Sequence, residues 1–102
     1  LRVSFTPQAQ DDLEVIRDWI AEDSRAAADR VVSRIVQTAM MFGQFPFLGR
    51  AGQVDGTREF SVVGLPYLIV YAVASESEID VLTVLHTRRR YPPLVSLVGR
   101  PD

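Results

Sequence analysis

Residues 86–92 read His-Thr-Arg-Arg-Arg-Tyr-Pro and include the single histidine of the chain. An imidazole can take or give a proton near neutral pH, a phenol can give one, and guanidinium forks fit phosphate oxygens. His86, Arg88, Arg89, Arg90 and Tyr91 could therefore act on an anionic substrate or grip an anionic partner. Upstream, Arg50, Arg58 and Glu59 could add two cations and a carboxylate. Each group also has a plainer use. A strand-end imidazole packs or makes a structural hydrogen bond, a run of arginines is solvated, and Tyr91 packs its ring. Arg58 is expected to pair with a helix acid, and Arg50 to fix a turn.

Other chemistries lack their groups. With no cysteine, disulfides, zinc thiolates and cysteine nucleophiles are excluded. All 11 basic residues are arginine, so no lysine can form a Schiff base or act as a tunable base. One histidine and scattered acids offer no metal-ligand spacing. Ser61, Ser75 and Ser77 have no histidine–acid arrangement beside them. Neither a metal nor a cofactor is expected.

The 102 residues suit one domain, residues 1–102, and 47% hydrophobic content argues against disorder. Net charge is −2, so nucleic-acid binding does not follow from the total. The distribution says more. Between Asp11 and Arg30 seven acids face three arginines, a balance of −4. From His86 onward four arginines face Asp102, a balance of +3. No apolar run approaches the roughly 20 residues of a membrane helix. No signal peptide is visible, although a chain starting at Leu1 could lack its native first residues. A cytoplasmic location without membrane contact is expected.

The elements that must position these groups follow from periodicity. Val3 and Phe5 alternate in a short strand. Thr6-Pro7 signals a helix start. Ala9, Leu13, Ile16 and Ile20 then mark one apolar helix face, which Val15 and Trp19 widen. That helix stops near Asp23. Ser24 caps a second helix with a stripe of Ala28, Val31, Val32, Ile35, Ala39 and Phe42, ended by Gly43. So short a link predicts a helical hairpin. Residues 44–57 form a loop that Phe45, Phe47 and Leu48 should anchor to the core. Strands follow over Arg58–Val63, Tyr67–Ala74 and Ile79–His86, as an antiparallel meander. Tyr67 and Tyr71, on one face, read as core or interface. The fold class is α+β, in the order β-α-α-β-β-β, with a helical hairpin covering one face of an antiparallel sheet.

In this order and at this length, the segments from Val3 to Pro92 resemble the RelE/ParE superfamily of toxin–antitoxin toxins. The resemblance rests on the opening strand and Ala9-Leu13-Ile16 helix, and on Phe45 to Arg50 (FPFLGR). It continues through Arg58-Glu59-Phe60, Gly64-Leu65-Pro66-Tyr67 and Ile69-Val70-Tyr71, then Ile79-Asp80-Val81-Leu82 and Val84-Leu85-His86 before Arg88-Arg89. The pieces are most similar to the ParE-like branch. That branch implies a cytoplasmic bacterial toxin that inhibits DNA gyrase by binding it and is neutralised by a small ParD-like antitoxin. The RelE-like branch shares the fold and cleaves mRNA on the ribosome.

Metal-free RNA cleavage needs a base, an acid and fixed cations. Glu59 or His86 could be the base, Tyr91 or His86 the acid, and Arg50, Arg58 and Arg88 to Arg90 the cations. The RelE resemblance would instead imply lysines in the middle strands and a strongly basic surface, and the chain has neither. The residues expected to face a target or partner are Arg50, Arg58, His86, Arg88, Arg89, Arg90 and Tyr91, with Leu94, Val95 and Leu97 of an apolar tail over residues 93–102. If the protein is a nuclease, Arg58, His86, Arg88 and Tyr91 would be catalytic. A non-toxic, antitoxin-binding member is the third reading. The tail is expected either to fold back on the sheet or to be covered by a partner, the antitoxin being the obvious one.

Overall fold

A computed structural model describes residues 1–88, and Arg89, Arg90, Tyr91, Leu94, Val95 and Leu97 lie outside the described residues. Strand β1 (Arg2–Phe5) leads into helix α1 (Pro7–Ala21). Thr6 is extended at the N-cap and its hydroxyl accepts the Ala9 N–H. Pro7 occupies the first turn, where its missing N–H costs nothing. Ser24 caps helix α2 (Arg25–Met40) in the same way, through the Ala27 N–H. A 3-10 turn, Met41–Gly43, ends the helical region. Strands β2 (Arg50–Ala51), β3 (Arg58–Ser61), β4 (Tyr67–Val73) and β5 (Glu78–His86) complete the order.

The expected α+β architecture stands, with two refinements. The five strands lie in the order β1-β5-β4-β3-β2. The meander β3-β4-β5 is antiparallel as expected, but β1 joins β5 in parallel, so the sheet is mixed. The parallel entry is a consequence of the crossover, because α1 and α2 carry the chain across the face before the meander begins. The loop after α2 also contributes β2, which sets Arg50 opposite Glu59. Two residues are too few for a strand pattern to show in the sequence.

Both helices press on one sheet face. Ala9, Ile35, Ala39 and Phe42 meet Val62, Tyr67, Ile69, Tyr71, Ile79, Val81 and Val84 in the main core. Phe42 lies flat on Tyr71, with ring centres 3.9 Å apart and planes 12° apart. On the other face Val70 and Leu82 are buried, with Leu68, Ala72 and Leu85 packed on them.

Two expectations about packing are overturned. Val15 and Trp19 are 57% and 65% exposed and do not widen the buried face. At 100° per residue they sit roughly 90–130° from the centre of the Ala9–Ile20 stripe, off its flank. Phe45, Phe47 and Leu48 are also exposed and do not anchor their loop. Polar bonds hold it instead. The buried Tyr71 hydroxyl donates to the Pro46 carbonyl at 2.9 Å and accepts the Gly49 N–H at 2.8 Å. Gly49 is required there, since a Cβ would lie 2.7 Å from the Glu59 carbonyl oxygen and 2.9 Å from the Tyr71 ring.

Candidate functional site: a groove between α1 and the end of β5

Strand β5 outlasts its neighbour. Pairing with β1 covers Glu78 to Val81 only, while β5 runs on to His86. Side chains from the start of α1 take over where β1 ends. The Thr6 hydroxyl donates to the Leu82 carbonyl at 2.9 Å. The Asp12 carboxylate accepts the Val84 N–H at 2.9 Å and the Thr83 hydroxyl. Gln8 donates to the second Asp12 oxygen at 2.9 Å and steadies it.

Beyond this closure a groove of about 540 Å³ opens between α1 and β5. Val15, Ile16 and Trp19 line it from the helix, Tyr67, Leu85 and His86 from the strands, and Arg88 lines it as well. The groove thus unites His86 and Arg88 with an exposed tryptophan that the sequence assigned to packing. Nothing in the residue pattern distinguished Trp19 on the flank of its helix from a Trp19 in the core. Asp12 was missed as well. Its partners are more than 70 positions away, and an acid in the first half of a helix is unremarkable.

The imidazole of His86 is held. Its Nδ1 accepts the Arg88 backbone N–H at 3.2 Å, which places the proton of the neutral ring on Nε2. Its edge meets the Tyr67 ring at 5.5 Å.

Arg50 and Arg58 lie elsewhere. His86 pairs with Tyr67 at the start of β4, and Arg58 pairs with Tyr71, four residues further on. That is ~13 Å along β4, and β3 and β5 flank β4 on opposite sides. Arg58 forms no pair with a helix acid. It donates to the Gly49 carbonyl at 2.7 Å and lies over the exposed Phe47 ring, 4.7 Å from its centre. Arg50 does more than fix a turn, because it donates to the Glu59 carboxylate at 3.1 Å across the β2–β3 pair. Glu59 is buried, and its second oxygen has no hydrogen-bond partner among the described residues. A carboxylate in this position is a structural group of the sheet's second face.

The candidate base Glu59, the candidate cation Arg58 and the candidate acid His86 therefore do not converge on one point. Among the described residues no cluster of three or more histidines or acids could hold a metal ion, and no helix is long and apolar enough to cross a membrane.

Comparisons with known proteins agree on one lineage. Residues 3–91 match the family described as the ParE toxin of type II toxin–antitoxin systems, parDE. The chain is 32% identical over 94 residues to Y4kP of Sinorhizobium fredii, covering 92% of this chain and 96% of that protein. It is 34% identical over 88 residues to Toxin RelE2 of Caulobacter vibrioides, covering 86% and 97%. Among solved structures, the chromosomal ParDE TA system of P. aeruginosa superposes with a TM-score of 0.76 at 22% identity, over 86% of this chain and 97% of that one. At that identity the likeness speaks for the fold.

Proposed function

The chain belongs to the ParE toxin family of type II toxin–antitoxin systems, and we propose that it inhibits DNA gyrase by binding it. In this reading a cognate, ParD-like antitoxin neutralises it in the bacterial cytoplasm. The observation that carries the reading is the dispersal of the catalytic candidates. General acid–base cleavage requires the acid, base and cations within hydrogen-bond reach of one phosphate. Here Arg58 is committed to Gly49 and Phe47, Glu59 to Arg50, and the Nδ1 of His86 to the backbone of Arg88. Such fixed, separated groups suit a rigid binding surface. His86 and Arg88, with the following Arg89, Arg90 and Tyr91, are the target-facing surface in this reading, and Leu94, Val95 and Leu97 extend it.

One observation favours a second reading, ribosome-dependent mRNA cleavage. A relative of high coverage carries the name RelE2. Expression without antitoxin separates the two. The proposal expects inhibited supercoiling by purified gyrase and intact mRNA. Mapped mRNA cuts with gyrase unaffected would overturn it in favour of the nuclease. Neither effect would mark a non-toxic, antitoxin-binding member.

A further inference from the structure

We propose that the sheet face turned away from the helices is covered by this chain's own last residues. The apolar run from Leu94 to Val98 lies on Leu68, Val70, Leu82 and Leu85, and a neutral donor of the tail meets the lone oxygen of Glu59. The inference concerns a second covering layer of the fold and stands whatever the protein's target is.

Two observations mark this face as covered. Ala9, Ile35, Ala39 and Phe42 of the helical region all press on the opposite face. Among the described residues, the hydrophobic neighbours of Val70 and Leu82 are Leu68, Ala72 and Leu85, all of the same sheet layer. Yet Val70 is 0% and Leu82 4% exposed. Side chains of one layer stand side by side and leave their tips to water, so burial this complete calls for a layer above them.

The second observation is polar. Glu59 pairs with Val70 across β3 and β4, so its carboxylate stands on the same face. The side chain is 7% exposed and one oxygen takes the Arg50 guanidinium. The other oxygen is buried with no partner among the described residues. A bare buried carboxylate oxygen carries its full desolvation penalty, so a donor belongs beside it.

Position and reach select the occupant. Leu85 is on this face one residue before β5 ends at His86, and residues 89–102 follow from that end. Pro92-Pro93 lack the N–H that a strand ladder needs, which turns the chain off the line of β5. Val70 pairs with Thr83, ~10 Å back from the strand end. An extended chain from Arg88 to Leu94 spans up to ~20 Å, enough to return over Val70. Leu94, Val95, Leu97 and Val98 then set apolar groups on apolar groups, and Ser96 or a main-chain N–H among them supplies the donor that Glu59 lacks.

Other occupants fit less well. A tethered segment acts at an effective concentration of about millimolar, which a separate partner has to exceed. A second copy stacked face to face would bring a second buried Glu59 toward the first, and like charges oppose that pairing. A nucleic-acid strand would meet the Glu59 carboxylate and an apolar floor. Docked on this face, the tail holds the run from Arg88 to Tyr91 at the end of β5. Leu94, Val95 and Leu97 then extend the target-facing surface from beneath, as its support.

The test uses the full chain. In NMR spectra of methyl-labelled protein, nuclear Overhauser contacts should join the methyls of Leu94, Val95, Leu97 and Val98 to those of Leu68, Val70 and Leu85. Mixtures of labelled and unlabelled chains should show these contacts to lie within one molecule. Leu97→Asp should lower the Tm by at least ~4 °C, the scale of one lost packing contact in a domain of this size. Val63→Ser, at an exposed turn, should melt as the parent does. The contacts are read on the parent, so they decide the matter even where a variant fails to fold. Tail methyls without contacts to the sheet overturn the inference whatever the melts show. Contacts found only between molecules give the face to a second copy and overturn it too. Contacts that form only in the antitoxin complex do the same, and leave the toxin–antitoxin reading standing.

Discussion

The carboxylate of Asp12 accepts the backbone N–H of Val84 at 2.9 Å, joining residues 72 apart in the chain. The same carboxylate takes the Thr83 hydroxyl. One side chain thus satisfies two groups of a strand edge that β1 does not reach. Asp12→Ala should destabilise the fold by about 1–3 kcal/mol, the usual cost of leaving such groups unpaired. Asp12→Asn keeps a carbonyl acceptor and should stay within about 1 kcal/mol of the parent. Urea unfolding of the two variants checks this, and equal losses would show that charge matters more than the acceptor.

Tyr71 ties the 44–50 loop to the core through its hydroxyl. Tyr71→Phe should keep the stack on Phe42, cost about 1–3 kcal/mol and speed amide exchange at Gly49. Burial raises the Tyr71 pKa above the ordinary 10.0, and the Gly49 hydrogen bond and the Arg58 charge offset part of that rise. The folded state therefore favours the neutral phenol. Its contribution is fully present below the unfolded pKa and is lost as pH rises through the higher folded value. Stability of the parent should decline above pH ~10 more steeply than that of Tyr71→Phe. Parallel declines in the two proteins would remove Tyr71 as the cause.

Arg50 and Glu59 form an unequal pair, the arginine 68% exposed and the carboxylate 7%. Arg50→Ala leaves a buried carboxylate alone and should cost about 1–2 kcal/mol, less than for a fully buried pair because solvent screens the guanidinium. Glu59→Gln should cost less, since a neutral amide is easier to bury. The distinguishing outcome is the double variant, which should be more stable than Arg50→Ala alone. Thermal melts of the three proteins would decide it, and a double variant less stable than Arg50→Ala would count against the pair.

His86 accepts a backbone N–H from Arg88 and meets Tyr67 edge-on. His86→Gln retains an acceptor at this position, so if the protein acts by binding gyrase, as proposed, inhibition by the variant should weaken by less than about tenfold, the size of a single lost contact on the target-facing surface. A general acid or base would lose roughly 10²–10⁴-fold on the same change. Dose–response curves for supercoiling, read beside mRNA integrity, separate the two outcomes.

The candidate site was half legible. His86 and Arg88 stood out because a lone imidazole and guanidinium groups at a strand end can carry chemistry, and both border the groove. Arg50, Arg58 and Glu59 stood out for the same reason, yet the register of β2, β3 and β4 places them in a separate network. Trp19 and Val15 were read as core because helical periodicity defines a stripe's centre well and its edges poorly. How wide a stripe is buried depends on what lies beneath its flank, and here α1 overhangs the end of a strand.

The sequence by itself determined the order of the elements apart from the two-residue β2, the helix starts at Thr6-Pro7 and Ser24, the antiparallel meander and the centre of each helix's buried stripe. These depend on caps, turns and periodicities spanning a few residues, and such local interactions keep their meaning wherever the segment lies. Only the tertiary structure decided that β1 enters parallel to β5, that β5 outlasts it, and that Asp12 and Thr6 close the gap between them. These outcomes depend on contacts between residues more than 70 positions apart, on which no local pattern reports. The groove belongs to that second class, because it exists where two elements of unequal length fail to cover one another.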